Sequence, residues 1–206
     1  MLEATDLSCE RGSLSLFAGV EFALSGGGLA RVRGANGSGK TSLLRILAGL
    51  TRPAVGAVRW RGRPIAEIAE DYGRDMLFIG HASGIKDELT VAENLDFSAR
   101  LSGLVPTPAS RRSALEQLGM DGRTRLPARF LSQGQRRRVA LARLALAASV
   151  PLWILDEPFA ALDARAIDQV SGLANAHLAA GGMLVLTSHQ DVALRAGTPV
   201  SIELGA

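Results

Sequence analysis

Hydrophobic and polar positions alternate through the first two dozen residues, and further along the chain the period lengthens. Leu2–Leu7, Arg11–Phe17 and Val20–Leu24 alternate and are separated by turn residues, a pattern that predicts short antiparallel strands. Gly26-Gly27-Gly28 predicts a hairpin turn into another strand at Leu29–Arg33,. Ser42–Gly49 has helical spacing and stops at glycine; Thr51-Arg52-Pro53 breaks the chain, and Gly56–Gly62 reads as a strand ending in a turn,. Asp75–Gly80 is a short apolar run bounded by glycine, the pattern of a buried strand,. Thr90 with Glu93 three residues later forms a capping-box signature, and helical spacing follows toward Leu101,. After a break at Leu104–Pro108, Ser110–Leu118 predicts a short helix, so residues 87–131 read as a mainly helical insertion,. A helix over Gln135–Ala148 follows, with Val139, Leu141, Ala142, Ala145 and Leu146 on its apolar side,. Leu152–Leu155 and Met183–Thr187 are apolar strands that each follow a helical segment, which predicts a parallel sheet,.

The 206 residues suit one α/β domain with a helical subdomain at about 87–148,. A net charge of +3 permits contact with an anionic surface without requiring nucleic acid,. The lone Cys9 excludes an intrachain disulfide and reads as a small core residue in a reducing compartment,. Glu3 and Asp6 interrupt any apolar leader, and the longest apolar stretch, Leu144–Leu155, is well short of the roughly twenty residues of a membrane helix,. A soluble, cytosolic chain is expected, with any membrane role supplied by a partner.

One stretch organises the rest: Gly34-Ala35-Asn36-Gly37-Ser38-Gly39-Lys40-Thr41, the G-x-x-x-x-G-K-T phosphate-binding pattern, with Ser42 opening the helix behind it,. Its glycines let successive N–H groups turn inward as an anion nest, and the helix N-terminus adds a favourable dipole. Lys40 can reach β- and γ-phosphates, and the Thr41 hydroxyl can ligate Mg²⁺.

Further pieces follow in order. Asp156 and Glu157 end an apolar strand, where a parallel sheet faces its ligand crevice,. There Asp156 would bind Mg²⁺ through water, and Glu157 would polarise an attacking water. Ser132-Gln133-Gly134-Gln135 opens a helix and is either a Ser cap or a second anion site, one that serves a nucleotide held by another copy,. Ala161-Leu162-Asp163 suits a dimer seam, and His189, just past the last buried strand, would sense a γ-phosphate,. His81 and His177 have weaker claims. The run Arg136–Arg138 reads as a solvated face,.

The ordered set GANGSGKT, LSQGQ, LWILDEP, ALD and TSH resembles the ATP-binding cassette (ABC) ATPases over essentially the whole chain. The resemblance implies a P-loop NTPase fold: a mixed-sheet core, an N-terminal antiparallel β lobe and a helical subdomain. It also implies two copies enclosing two ATP molecules head to tail. ATP would then be bound by Arg11 and Gly34–Ser42, with Ser132, Gly134 and Gln135 reaching the partner's γ-phosphate, Asp163 in the seam and His189 as switch. Three departures stand out: Gln133 replaces a usual glycine, Arg11 stands where an aromatic would stack on adenine, and Ala82 aligns with a glutamine that normally touches Mg²⁺ and relays to the membrane partner. Leu7–Gly12, Asn36–Leu50, Gly80-His81, Gly84–Lys86, Glu88–Thr90, Glu93–Leu95 and Gly181–Met183 resemble more closely the haem-exporter ATPases of bacterial cytochrome c maturation. That implies an ATPase at the cytoplasmic face of the inner membrane, peripheral to it and working with membrane permease subunits rather than nucleic acid. The alternatives are a subunit of another ABC transporter, or a soluble nucleotide switch acting on DNA or ribosomes.

Overall fold

The two strand senses separate into two sheets in the computed structural model, which describes residues 1–12, 14–195, 197 and 199–205. The first sheet holds β1 (Leu2–Arg11), β2 (Leu14–Leu24), β4 (Val55–Trp60) and β5 (Arg63–Pro64), antiparallel in the order β2-β1-β4-β5. The second holds β3 (Leu29–Gly34), β6 (Met76–Ile79), β7 (Leu152–Leu155), β8 (Met183–Thr187) and β9 (Val200–Leu204), parallel throughout in the order β6-β7-β8-β3-β9.

Two expectations for the N-terminal lobe need correction. Three short strands were expected, but β1 and β2 are two long ones that pair from Leu2↔Leu24 to Arg11↔Leu14. Register shifts between Ala4 and Leu7, and again either side of Cys9, absorb the residues that break strict alternation, with Asp6 at φ 49°,. Nor do Gly26–Gly28 close a hairpin, because the strands on either side belong to different sheets. Gly27 N–H donates instead to Gly182 O at 3.0 Å, and the turn carries the chain from one sheet to the other.

Helix α1 (Lys40–Leu47) packs between the sheets, burying Leu43, Leu44, Ile46 and Leu47 in one core with Leu152, Ile154 and Val185. Each such leucine or isoleucine contributes roughly 1.5–3 kcal/mol on burial. Side chains alternate along a strand, so Trp153, Leu155, Leu184 and Leu186 face the opposite side,. They meet α7 (Ala164–Ala179) and the helical arm made of α3 (Val91–Leu101), α4 (Pro108–Gln117), α5 (Gln133–Leu141) and α6 (Arg143–Leu146). A short α2 (Ala69–Arg74) precedes β6.

Helices α3, α4 and α5 each begin with a Ser or Thr capping box, at Thr90, Thr107 and Ser132. The helix expected to open at Ser132 and run to Ala148 does begin there, with Ser132 as its N-cap, but it splits in two where Ala142 at ψ −20° tightens toward 3₁₀ geometry,. Cys9 is buried and free, in keeping with a core role. Among the described residues no helix is long and apolar enough to cross a membrane.

His177 is buried on α7, stacked on Trp153 with centroids 3.9 Å apart, its Nε2 3.2 Å from Met183 O. Burial lowers its pKa, opposed by the hydrogen bond to Met183. The folded state therefore holds the neutral ring, while the unfolded chain takes up a proton below about pH 6.5. Stability present above that pH is lost as the pH falls below it. Urea denaturation from about pH 7.5 to about pH 5 should show this loss, and His177→Phe, which keeps a stacking ring that does not titrate, should show a smaller one.

Candidate active site

The phosphate-binding stretch links the C-terminal end of β3 to α1, so its backbone turns just beyond the strand ends of the parallel sheet. Gly37 at φ 87° and Gly39 at φ 95°, the N-cap of α1, adopt conformations that side chains rarely tolerate, and this lets the loop curl over the helix start,. Lys40 Nζ donates to the carbonyls of Gly34 and Ala35, at 2.8 and 2.9 Å, which lays the ammonium along the loop.

The neighbouring strands supply the acids. Asp156, 2% exposed, follows β7 and accepts from the Thr41 hydroxyl through Oδ2 at 2.8 Å. Its Oδ1 accepts from Thr187 Oγ1 at 2.7 Å. The same Thr187 hydroxyl accepts from the Glu157 N–H at 2.8 Å, so one buried threonine on β8 fixes both acids. Glu157 sits at φ 48°, a left-handed conformation uncommon for a non-glycine residue, and aims a mostly buried carboxylate into the crevice,. Its Oε1 is a buried acceptor without a hydrogen-bond partner among the described residues. His189 approaches it from the loop after β8, with its N–H 3.3 Å from Glu157 Oε2 and its Nε2 3.6 Å from Oε1.

Lys40, Thr41, Asp156, Glu157 and His189 line one cleft of about 490 Å³ together with Arg11, Asn36, Ser42 and His81. Arg11 thus lines the same cleft as the loop. At the segment after β6, it is His81 and not Ala82 that lines the cleft. Thr41 and Asp156 present hard oxygen donors side by side, a pair that suits Mg²⁺, an ion that retains waters and takes further oxygens from substrate phosphates,.

Ser132, Gly134, Gln135 and Asp163 are not in this cleft. They line a separate one of about 430 Å³ with Arg138 and Ala161. Ser132 caps α5: its Oγ accepts from Gln135 N–H at 3.3 Å, and Gln135 Oε1 accepts from Ser132 N–H at 3.0 Å. Gly134 lies against the Ala161 carbonyl, where an added Cβ would stand 2.7 Å from the oxygen. Asp163 caps α7 through Ala166 N–H at 2.9 Å and accepts from Arg138 at 2.5 Å.

The Arg136–Arg138 run is not the solvated face expected from its charge. Arg136 pairs with Asp87 and Arg138 with Asp163. Arg137 is buried, and its guanidinium donates to the carbonyls of Gly80, His81, Asp156 and Glu157. Burial lowers its pKa, and the charges of Asp156 and Glu157 oppose that shift. Sequence reasoning missed Thr187, Arg137 and the orientation of His81. A signal existed for Arg137, which shares a helical face with Ala140, Leu141 and Leu144, all buried,.

The ABC transporter family pattern matches residues 17–160. The chain belongs to that family. It is 49% identical over 205 residues to the cytochrome c biogenesis ATP-binding export protein CcmA of Dechloromonas aromatica, covering the whole of both chains. It is 45% identical over 190 residues to the Escherichia coli protein of the same name, covering 92% of this chain and 89% of that one. A solved ATP-binding subunit of an ABC transporter superposes with a TM-score of 0.80 at 29% identity, covering 92% of this chain and 79% of the other. The dimeric structure of a bacterial ABC transporter cassette gives a TM-score of 0.77 at 25% identity, covering 92% and 88%. Within the ABC family the chain therefore sits among the cytochrome c biogenesis ATP-binding proteins, and it is an ABC-type ATPase.

In this ABC ATPase, Thr187→Val removes one hydroxyl and strands both Asp156 Oδ1 and the Glu157 N–H. The variant should lose about 1–3 kcal/mol of stability in denaturant titration. Steady-state ATP hydrolysis should fall about tenfold or more at temperatures where it remains folded.

Proposed function

We propose that this chain is the ATP-hydrolysing subunit of an export complex for cytochrome c biogenesis, working as a pair of copies beneath membrane permease subunits. The observation that supports the paired arrangement is the separation of the two clefts. The phosphate loop, Asp156, Glu157 and His189 line one, whereas Ser132, Gly134 and Gln135 line the other. One chain thus holds two halves of an anion site that do not meet, and a head-to-tail partner completes both.

The chemistry follows from the residues. The loop N–H groups and Lys40 hold the phosphates of ATP, with Arg11 beside the base. Thr41 and Asp156 would hold Mg²⁺, which when bound offsets the charge of the phosphates. Glu157, whose carboxylate lies on the cleft wall, orients a water in line with the γ-phosphate, and His189 steadies that carboxylate,. Ser132 and Gln135 of the partner add donors to the γ-phosphate, and Asp163 sits at the seam between the two copies. Identity of 45–49% to proteins named for cytochrome c biogenesis export supports that role and a peripheral position at the cytoplasmic face of the bacterial inner membrane. Ala82 leaves no side chain for the usual glutamine relay, and His81 is the neighbouring side chain on that cleft wall.

Glu157→Gln should abolish turnover while ATP still drives two copies together in size-exclusion chromatography; normal hydrolysis would sink the assignment. Lys40→Ala should lose ATP affinity in equilibrium binding, by about 2 kcal/mol or more for a charge-assisted contact. In the native host, deletion should abolish covalent c-type cytochromes in a haem-stained gel, whereas a pull-down recovering an unrelated permease would favour a different transporter.

A further inference from the structure

We propose that Arg137 is a positioning residue that couples the two ATP sites of the dimer, joining the helix that engages the partner's nucleotide to the backbone carrying Glu157. The inference rests on the composite-site reading above. A buried guanidinium usually meets a carboxylate. Arg137 is 5% exposed and is held instead by main-chain oxygens on two segments. Its Nη1 donates to Gly80 O at 2.9 Å and His81 O at 3.3 Å, and its Nη2 to Asp156 O at 2.7 Å and Glu157 O at 2.8 Å.

Glu157 is the point of leverage. Its left-handed backbone, at φ 48°, is unfavourable for a residue with a side chain and persists only when both sides of the residue are held,. Thr187 holds its N–H and Arg137 holds its carbonyl. Arg137 lies two residues beyond Gln135, in the first turns of α5, so about 3 Å of rigid helix separates the two functions,. Gly134 seats that same turn against Ala161 O, on the loop leaving Glu157. A rotation of α5 on meeting the partner's phosphates therefore pulls directly on the carbonyls of Glu157 and His81. Guanidinium suits this task because its planar fork reaches several acceptors at once, which a lysine ammonium does not match.

The test uses the full-length chain purified with the membrane proteins that accompany it, measuring kcat, KM for ATP and the Hill coefficient. Arg137→Gln should lower kcat about tenfold or more, leave KM within about twofold and bring the Hill coefficient toward one. Arg137→Lys should recover part of the rate, and its melting temperature, close to the parent's, separates the effect from loss of fold. An unchanged kcat, or a reduced kcat with an unchanged Hill coefficient, would overturn the inference, and the Lys variant carries the same test if Arg137→Gln does not fold. Combining Arg137→Gln with Glu157→Gln distinguishes the two layers. If Glu157→Gln alone fails to form ATP-dependent dimers, the composite site is wrong. If it dimerises while the Arg137 variants hydrolyse ATP cooperatively, only the coupling is wrong.

Discussion

Asp156 accepts from Thr41 on α1 and Thr187 on β8, and those two hydrogen bonds fix the relative height of three elements. The carboxylate is nearly fully buried, so an unmet acceptor there would carry a desolvation cost of about 1–3 kcal/mol or more,. Each hydroxyl meets part of that demand and is placed by it. The phosphate loop is thereby tied to the strand ends, and Glu157 follows with its N–H on the same threonine. The core around α1 gives the sheets their adhesion, but this polar chain gives the crevice its geometry.

Much of the fold was legible because its signals are local. The β-strand periods, the Thr90 and Glu93 box, and the apolar runs of β7 and β8 depend on residues within one turn or one strand. The phosphate loop was legible for the same reason, since its glycines carry the conformation themselves. What escaped depends on contacts across the chain. Nothing near Gly26–Gly28 says that the following strand joins a different sheet. The charge of Arg136–Arg138 suggests solvent, because a run of like charges hides the phase of the one member that turns inward. The part played by Thr187 depends on Asp156 and Glu157, thirty or so residues away in sequence.

The clefts show why the site residues divide as they do. A phosphate loop at the end of β3 and a capped helix at the start of α5 are both anion-friendly, yet α5 is anchored through Arg137 and Gly134 to the flank of β7 rather than over the loop. The helical arm, packed through Val139, Leu141 and Leu144, is part of the same hydrophobic core as Trp153 and Leu155, so its capped end has a defined direction.

The capping box at Ser132 has a consequence for ligand choice. Both of its hydrogen bonds use oxygens as acceptors: Ser132 Oγ receives from Gln135 N–H, and Gln135 Oε1 receives from Ser132 N–H. Among the described residues, the serine O–H and the amide N–H₂ of Gln135 are spent on no protein partner. The motif therefore engages one lone pair on each oxygen and leaves the O–H and N–H₂ protons unspent,. A helix start built this way gives an oxyanion two donor groups, the hydroxyl and the amide, that the box itself anchors,. Arg123 and Arg138 line the same cleft, so preference for an anion there combines their charge with which half of each polar group the fold has already used.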